Sequence, residues 1–137
     1  MTLDGQLRAF AFGLPEAWED HPWGDTVAKV GKKVFLFLGT PDAHGALAFS
    51  VKLPISHDEA LSMPFTVPTG YGLDRGRWVT VHAPPDAPLE MFTAWIEESY
   101  RTVAPRRLVA LLDAGQVAAR RPEAPRPGGP RGSTGTL

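Results

Sequence analysis

Cysteine is absent from the 137 residues. That absence removes disulfides, thiol nucleophiles and thiolate metal sites together. Long apolar runs are also missing. Val34-Phe35-Leu36-Phe37-Leu38 is strand-sized, far short of the ~20 residues a membrane-spanning helix needs. Met1-Thr2-Leu3-Asp4-Gly5-Gln6 has no basic segment followed by an apolar one, so it does not read as a signal peptide, and the expected compartment is the cytoplasm. Catalytic signatures are scarce. The four histidines have no nucleophile at a recognisable spacing. Thr69-Gly70-Tyr71-Gly72 lacks the strand–loop–helix setting of a phosphate-cradling loop. Glu19, Asp20, His21 and Asp25 are metal-type donors close in sequence, but no second histidine stands at a ligand spacing. The expectation is a protein that is not an enzyme, with no metal and no cofactor.

A large net charge is missing too: the chain sums to −1. The distribution is uneven. Residues 1–28 hold one cation against five anions, whereas residues 29–82 hold six cations against four anions. The six are Lys29, Lys32, Lys33, Lys52, Arg75 and Arg77. From position 120 onward four arginines face one glutamate. Bulk charge therefore offers little attraction to nucleic acid, and any such attraction must come from a local cluster.

What the chain does have is a glycine-rich segment leading into a strand. Pro68-Thr69-Gly70-Tyr71-Gly72-Leu73-Asp74-Arg75-Gly76-Arg77 carries three glycines, a tyrosine and two arginines. Trp78-Val79-Thr80-Val81 follows, in residue types that favour strands. Composition alone is equally consistent with a solubilising turn.

Leu3, Leu7, Phe10 and Leu14 recur at helical spacing, and Gly13 and Pro15 supply stop signals. Pro15 to Gly24 holds two tryptophans and two prolines, and reads as a loop or short turn whose indoles cover one end of the core. Strands are expected at 25–30, 34–38, 46–53, 65–67 and 78–82. Gly31-Lys32 forms the first hairpin turn, with glycine at the first central position. A short helix near Ser56–Leu61 lies between the third and fourth strands. Pro88 opens a helix whose inner stripe is Leu89, Phe92, Ile96, Tyr100 and Val103. Pro105 starts a second helix, with Gly115 as its stop. The domain boundaries expected are 1–115 for one folded domain and 116–137 for a disordered Pro/Gly/Arg-rich tail.

The chain resembles the MmcQ/YjbR family of small bacterial proteins. The residues that carry the resemblance are Trp18-Glu19-Asp20-His21-Pro22-Trp23-Gly24, Lys32 with Val34-Phe35, Val51-Lys52-Leu53, Pro68-Thr69-Gly70-Tyr71-Gly72-Leu73 with Trp78-Val79, and Trp95-Ile96 with Ser99-Tyr100 and Val103-Ala104-Pro105-Arg106-Arg107-Leu108. The resemblance implies a compact α+β fold. Combined with the strands above, it gives an antiparallel β-sheet of about five strands. An N-terminal helix and two C-terminal helices pack on that sheet. It also implies DNA binding through a double wing of hairpins, and it carries no catalytic residues. On that reading the Gly31-Lys32-Lys33 turn and the Asp74-Arg75-Gly76-Arg77 turn are the wings. Lys29, Lys32, Lys33, Lys52, Arg75 and Arg77 meet phosphates, and Tyr71 stacks on a base or sugar. Asp74 departs from a purely cationic tip. The alternative is a protein-interaction or chaperone-like module using an exposed sheet face. The expected partners are DNA or another protein, with no membrane, and the expected state is a monomer.

Overall fold

The computed structural model describes residues 2–70, 72–84, 86 and 88–120, without the side chains of Trp23, Asp74 and 117–120. Of the tail expected over 116–137, residues 116–120 are helical, and residues 121–137, like Tyr71, lie outside the described residues. The chain divides into two compact units, Met1–Pro105 and Arg106–Leu137.

The first unit is α+β. It contains α1 (Leu3–Phe12), β1 (Ala17–Asp20), β2 (Thr26–Val30), β3 (Lys33–Leu38), β4 (Leu47–Lys52), α2 (His57–Leu61), β5 (Thr66–Pro68), β6 (Trp78–Ala83) and α3 (Leu89–Val103). Short 3-10 turns at Pro22–Gly24 and Leu73–Gly76 interrupt the loops. One six-stranded sheet runs β1-β2-β3-β4-β6-β5, and each neighbouring pair is antiparallel. The second unit contributes α4 (Arg106–Arg120). That helix runs through Gly115, where the sequence predicted a stop. An interior glycine costs a helix only ~1 kcal/mol relative to alanine, which its neighbours outweigh.

The sixth strand is β1, in a segment expected to be a loop. Trp18 opposes Lys29, and Asp20 opposes Val27. An edge strand of four residues needs only one partner, so it tolerates the flanking prolines that argued against regular structure.

Local chemistry accounts for the helices. Thr2 caps α1 by accepting from Gly5 N at 3.0 Å, and Leu3, Leu7 and Ala11 are buried one turn apart. Buried Phe92, Trp95, Ile96, Ser99 and Tyr100 form the inner stripe of α3. This helix packs on β3 and β4, with α1 beside it. The α2 helix lacks a side-chain cap of its own. Instead the Glu98 carboxylate accepts from Ile55 N at 2.8 Å and Ser56 N at 3.0 Å, tying the segment before α2 to α3.

Rings dominate the core. Phe49 and Phe65 meet Phe92 edge-on, with centroids 5.2 Å and 5.8 Å away, and Phe35 meets Tyr100 at 5.3 Å. Each such side chain contributes ~2 kcal/mol or more by leaving water. Tyr100 also donates its hydroxyl to the Pro15 carbonyl at 2.7 Å, closing the turn after α1 onto α3.

A bulge explains why both Phe35 and Leu36 are fully buried. Ala28 opposes Leu36, but Lys29 opposes Val34, which leaves Phe35 unpaired on β2. The extra residue reverses the alternation locally, so two consecutive side chains reach the helical layer. Leu36, Val51 and Val79 share one row on that covered face, as do Leu38, Phe49 and Val81. The opposite face carries Phe37, Ser50 and Thr80 in one row, with Lys52 and Trp78 in the next.

Candidate nucleic-acid interface

Strand polarity decides where the cations go. The β2–β3 turn stands at the end of the sheet where β3 begins. Leu36 of β3 opposes Val51 of β4, so Lys33 and Lys52 both lie beyond that pair, towards the same end. Lys52 opposes Trp78, the first residue of β6, so the loop leading into β6 emerges there too. Antiparallel pairing thus brings the turn at Gly31-Lys32 and the loop at Arg75-Gly76-Arg77 to one end of the sheet. Two to three inter-strand steps separate them, about 10–14 Å at ~4.8 Å per step.

Backbone conformation shapes both turns. Gly31 has φ +60, the left-handed value a two-residue hairpin needs at that position. Lys32 and Lys33 are exposed on either side of the corner. At the second site Arg75 lies in the 3-10 turn Leu73–Gly76. A Cβ at position 76 would sit 3.2 Å from Trp78 Cδ1, a tight contact, and 3.9 Å from Lys52 Nζ, so the loop lies close against that indole. Arg77 adopts φ +66, which glycine accepts easily and arginine does not. Its carbonyl accepts from Leu53 N at 2.9 Å, holding the loop to the end of β4.

Ser99 fixes that end from beneath. Its buried hydroxyl donates to the Phe35 carbonyl at the bulge and accepts from Lys52 N at 2.9 Å. On the uncovered face, hydroxyls link β4, β6 and the loop. Ser50 Oγ lies 2.8 Å from Thr80 Oγ1, which lies 2.9 Å from Thr69 Oγ1.

Lys29 stands apart from the other predicted cations. It lies on the uncovered face, 2.8 Å from Asp20 Oδ2 and 5.2 Å from the centroid of Trp18. That lysine, with the backbone N–H of His21, holds the Asp20 carboxyl below its usual range. Glu19 meets Arg8 at 3.3 Å and His21 at 2.9 Å, so the neighbouring acids also have partners. Lys32, Lys33, Lys52, Arg75 and Arg77 form no ion pair among the described residues. Tyr71, the expected stacking residue, lies outside the described residues. Among the described residues no group of three His, Asp or Glu side chains is placed to hold a metal ion.

Sequence reasoning missed two contributors. Trp18 was expected to cover the core, yet it is 43% exposed, with its Nε1–H donating to Gly31 O at 3.0 Å. A tryptophan on a short edge strand has one face towards solvent, a signal visible only once β1 is recognised. Ser99 entered only through the family resemblance, with no role assigned; its two backbone partners are 64 and 47 positions away.

The fold and this sheet end define a small antiparallel α+β domain, with five cations at one end of the sheet that form no ion pair among the described residues. The YjbR family profile matches residues 12–102, and the chain belongs to that family. Protein DR2400 of Deinococcus radiodurans, whose crystal structure is described as a DUF419 domain, is similar at 26% identity and a TM-score of 0.62. The similarity covers 78% of this chain and 85% of that one. A Pseudomonas syringae protein shares the fold at 18% identity and a TM-score of 0.57, over 72% of this chain and 96% of its own. No curated protein matches the chain significantly. No helix among the described residues is long and apolar enough to cross a membrane.

Proposed function

We propose that the protein binds DNA without catalysis, meeting the phosphate backbone through Lys32 and Lys33 on one side, Arg75 and Arg77 on the other, and Lys52 between them. One observation carries this reading: two exposed basic turns, distant in sequence, share one end of the sheet. Their separation of about 10–14 Å is on the order of a major-groove width. The backbone at Arg77 adds weight, because arginine occupies a conformation that suits glycine better. Phosphate contacts fix position and carry no base sequence, so the binding is unspecific in its cationic part. Lys29 contributes least, being held by Asp20. The test is retention of labelled duplex DNA at low salt by the native protein and by the Arg75→Ala, Arg77→Ala double variant. The variant should bind more weakly; equal retention would remove the second turn from the interface.

A second reading, docking of a protein partner, draws on exposed Val67 on edge strand β5 and exposed Ile55. A single partner captured with or without nuclease treatment, and lost on Val67→Asp, would favour it over DNA.

A further inference from the structure

We propose that Trp18 is a stacking platform for an unpaired base, so that a single strand held at the lysine turn gains a contact that duplex DNA does not make. This deepens the DNA reading and rests on it. Four large hydrophobic side chains are exposed among the described residues, Trp18, Ile55, Val67 and Leu111, and Trp18 is the aromatic one.

Its setting is unusual for a chance surface residue. The indole N–H donates to the carbonyl of Gly31, a central residue of the turn that presents Lys32 and Lys33. The polar tip of the ring is therefore satisfied, and what remains open is π surface. The same bond holds the ring in one orientation, so a ligand need not order it on binding. Lys29 lies 5.2 Å from the ring centroid while bonded to Asp20, and so helps hold the indole. Glu19 is matched by Arg8, and Asp20 by Lys29, so the two acids that follow Trp18 do not confront a phosphate uncompensated.

An immobilised aromatic side chain near two lysines that form no ion pair among the described residues is the combination that single strands select. The base stacks on the ring and its phosphates meet the cations. Bases inside a duplex have both faces stacked on neighbours and cannot use the platform.

The test compares three labelled ligands of equal length at one salt concentration: oligothymidylate, an oligomer carrying abasic residues throughout, and duplex DNA. Native protein should bind oligothymidylate roughly 10-fold more tightly than the abasic strand. Trp18→Leu should erase that preference while leaving abasic binding unchanged, and Trp18→Phe should keep most of it. Lys32→Ala with Lys33→Ala should weaken both single strands alike. Circular dichroism of each variant checks that β1 still pairs. If Trp18→Leu unpairs β1, loss of the preference in Trp18→Phe, with its fold intact, overturns the inference, and retention upholds it. Equal native affinity for thymidylate and abasic strands, or a preference that survives Trp18→Leu, overturns the stacking inference. Duplex binding without a base preference overturns it alone, whereas failure of all three ligands to bind removes the DNA reading as well.

Discussion

Replacing Ser99 by alanine tests how the basic end of the sheet is held in place. The hydroxyl is fully buried and serves two backbone groups, the Phe35 carbonyl at the bulge and the Lys52 N–H at the end of β4. Alanine removes both bonds and nearly nothing else, since the lost volume is one oxygen. Each hydrogen bond contributes ~1 kcal/mol, and each buried backbone group left without a partner adds ~1–3 kcal/mol. Some relaxation is available because β4 ends at Lys52, so the expected loss is about 2–4 kcal/mol rather than the full sum. In a unit of 105 residues each kcal/mol shifts Tm by about 4–5 °C, so the midpoint should fall by roughly 8–20 °C. Urea denaturation gives the free energy, and amide exchange at Lys52 reports whether the effect is local. Thr102→Ala is the control, because its hydroxyl only bonds back to the Glu98 carbonyl on an exposed turn; it should change stability by less than about 0.5 kcal/mol. A loss below ~1 kcal/mol for Ser99→Ala, with Lys52 exchange unchanged, would refute the clamp.

Two further outcomes are expected. Arg77 has φ +66, so Arg77→Gly should be more stable than Arg77→Ala by ~1 kcal/mol in urea melts, while both lose DNA affinity equally; equal stabilities would contradict the strain. Asp20 titrates below its usual range because Lys29 bonds to it, so its stabilisation is complete above the ordinary carboxylate pKa and is lost as pH falls through the depressed value. Urea midpoints followed from about pH 6 to about pH 2 should therefore fall less steeply in Asp20→Asn than in the native protein.

The elements with strong periodicity were legible from residues alone. Leu3, Leu7 and the Phe92-Ile96-Tyr100 stripe mark helices because burial recurs each turn. Leu47, Phe49 and Val51 mark a strand because it recurs every second residue. The first strand was not legible, since four residues at a sheet edge hold too few alternations and sit between turn formers. The bulge at Phe35 was hidden as well: an unbroken apolar run reads as a strand buried on both faces, whichever residue is skipped in the pairing. At the site, the basic residues and the Gly31 turn were visible as local chemistry. Their shared end of the sheet depends on the pairing of β3 with β4 and of β4 with β6, which no local pattern encodes. The ion pair that occupies Lys29 depends on the missed strand, so it stayed hidden with it.

The salt dependence of duplex binding tests most directly whether the two turns act as one surface. Five cations on phosphates give a slope of log Kobs against log[salt] of up to about −4.5, at ~0.9 per contact. Lys32→Ala with Lys33→Ala should reduce its magnitude by about 1.8, Arg75→Ala with Arg77→Ala by the same amount, and the quadruple variant by both together. A slope that either pair leaves unchanged would mean that the two turns do not meet the same partner.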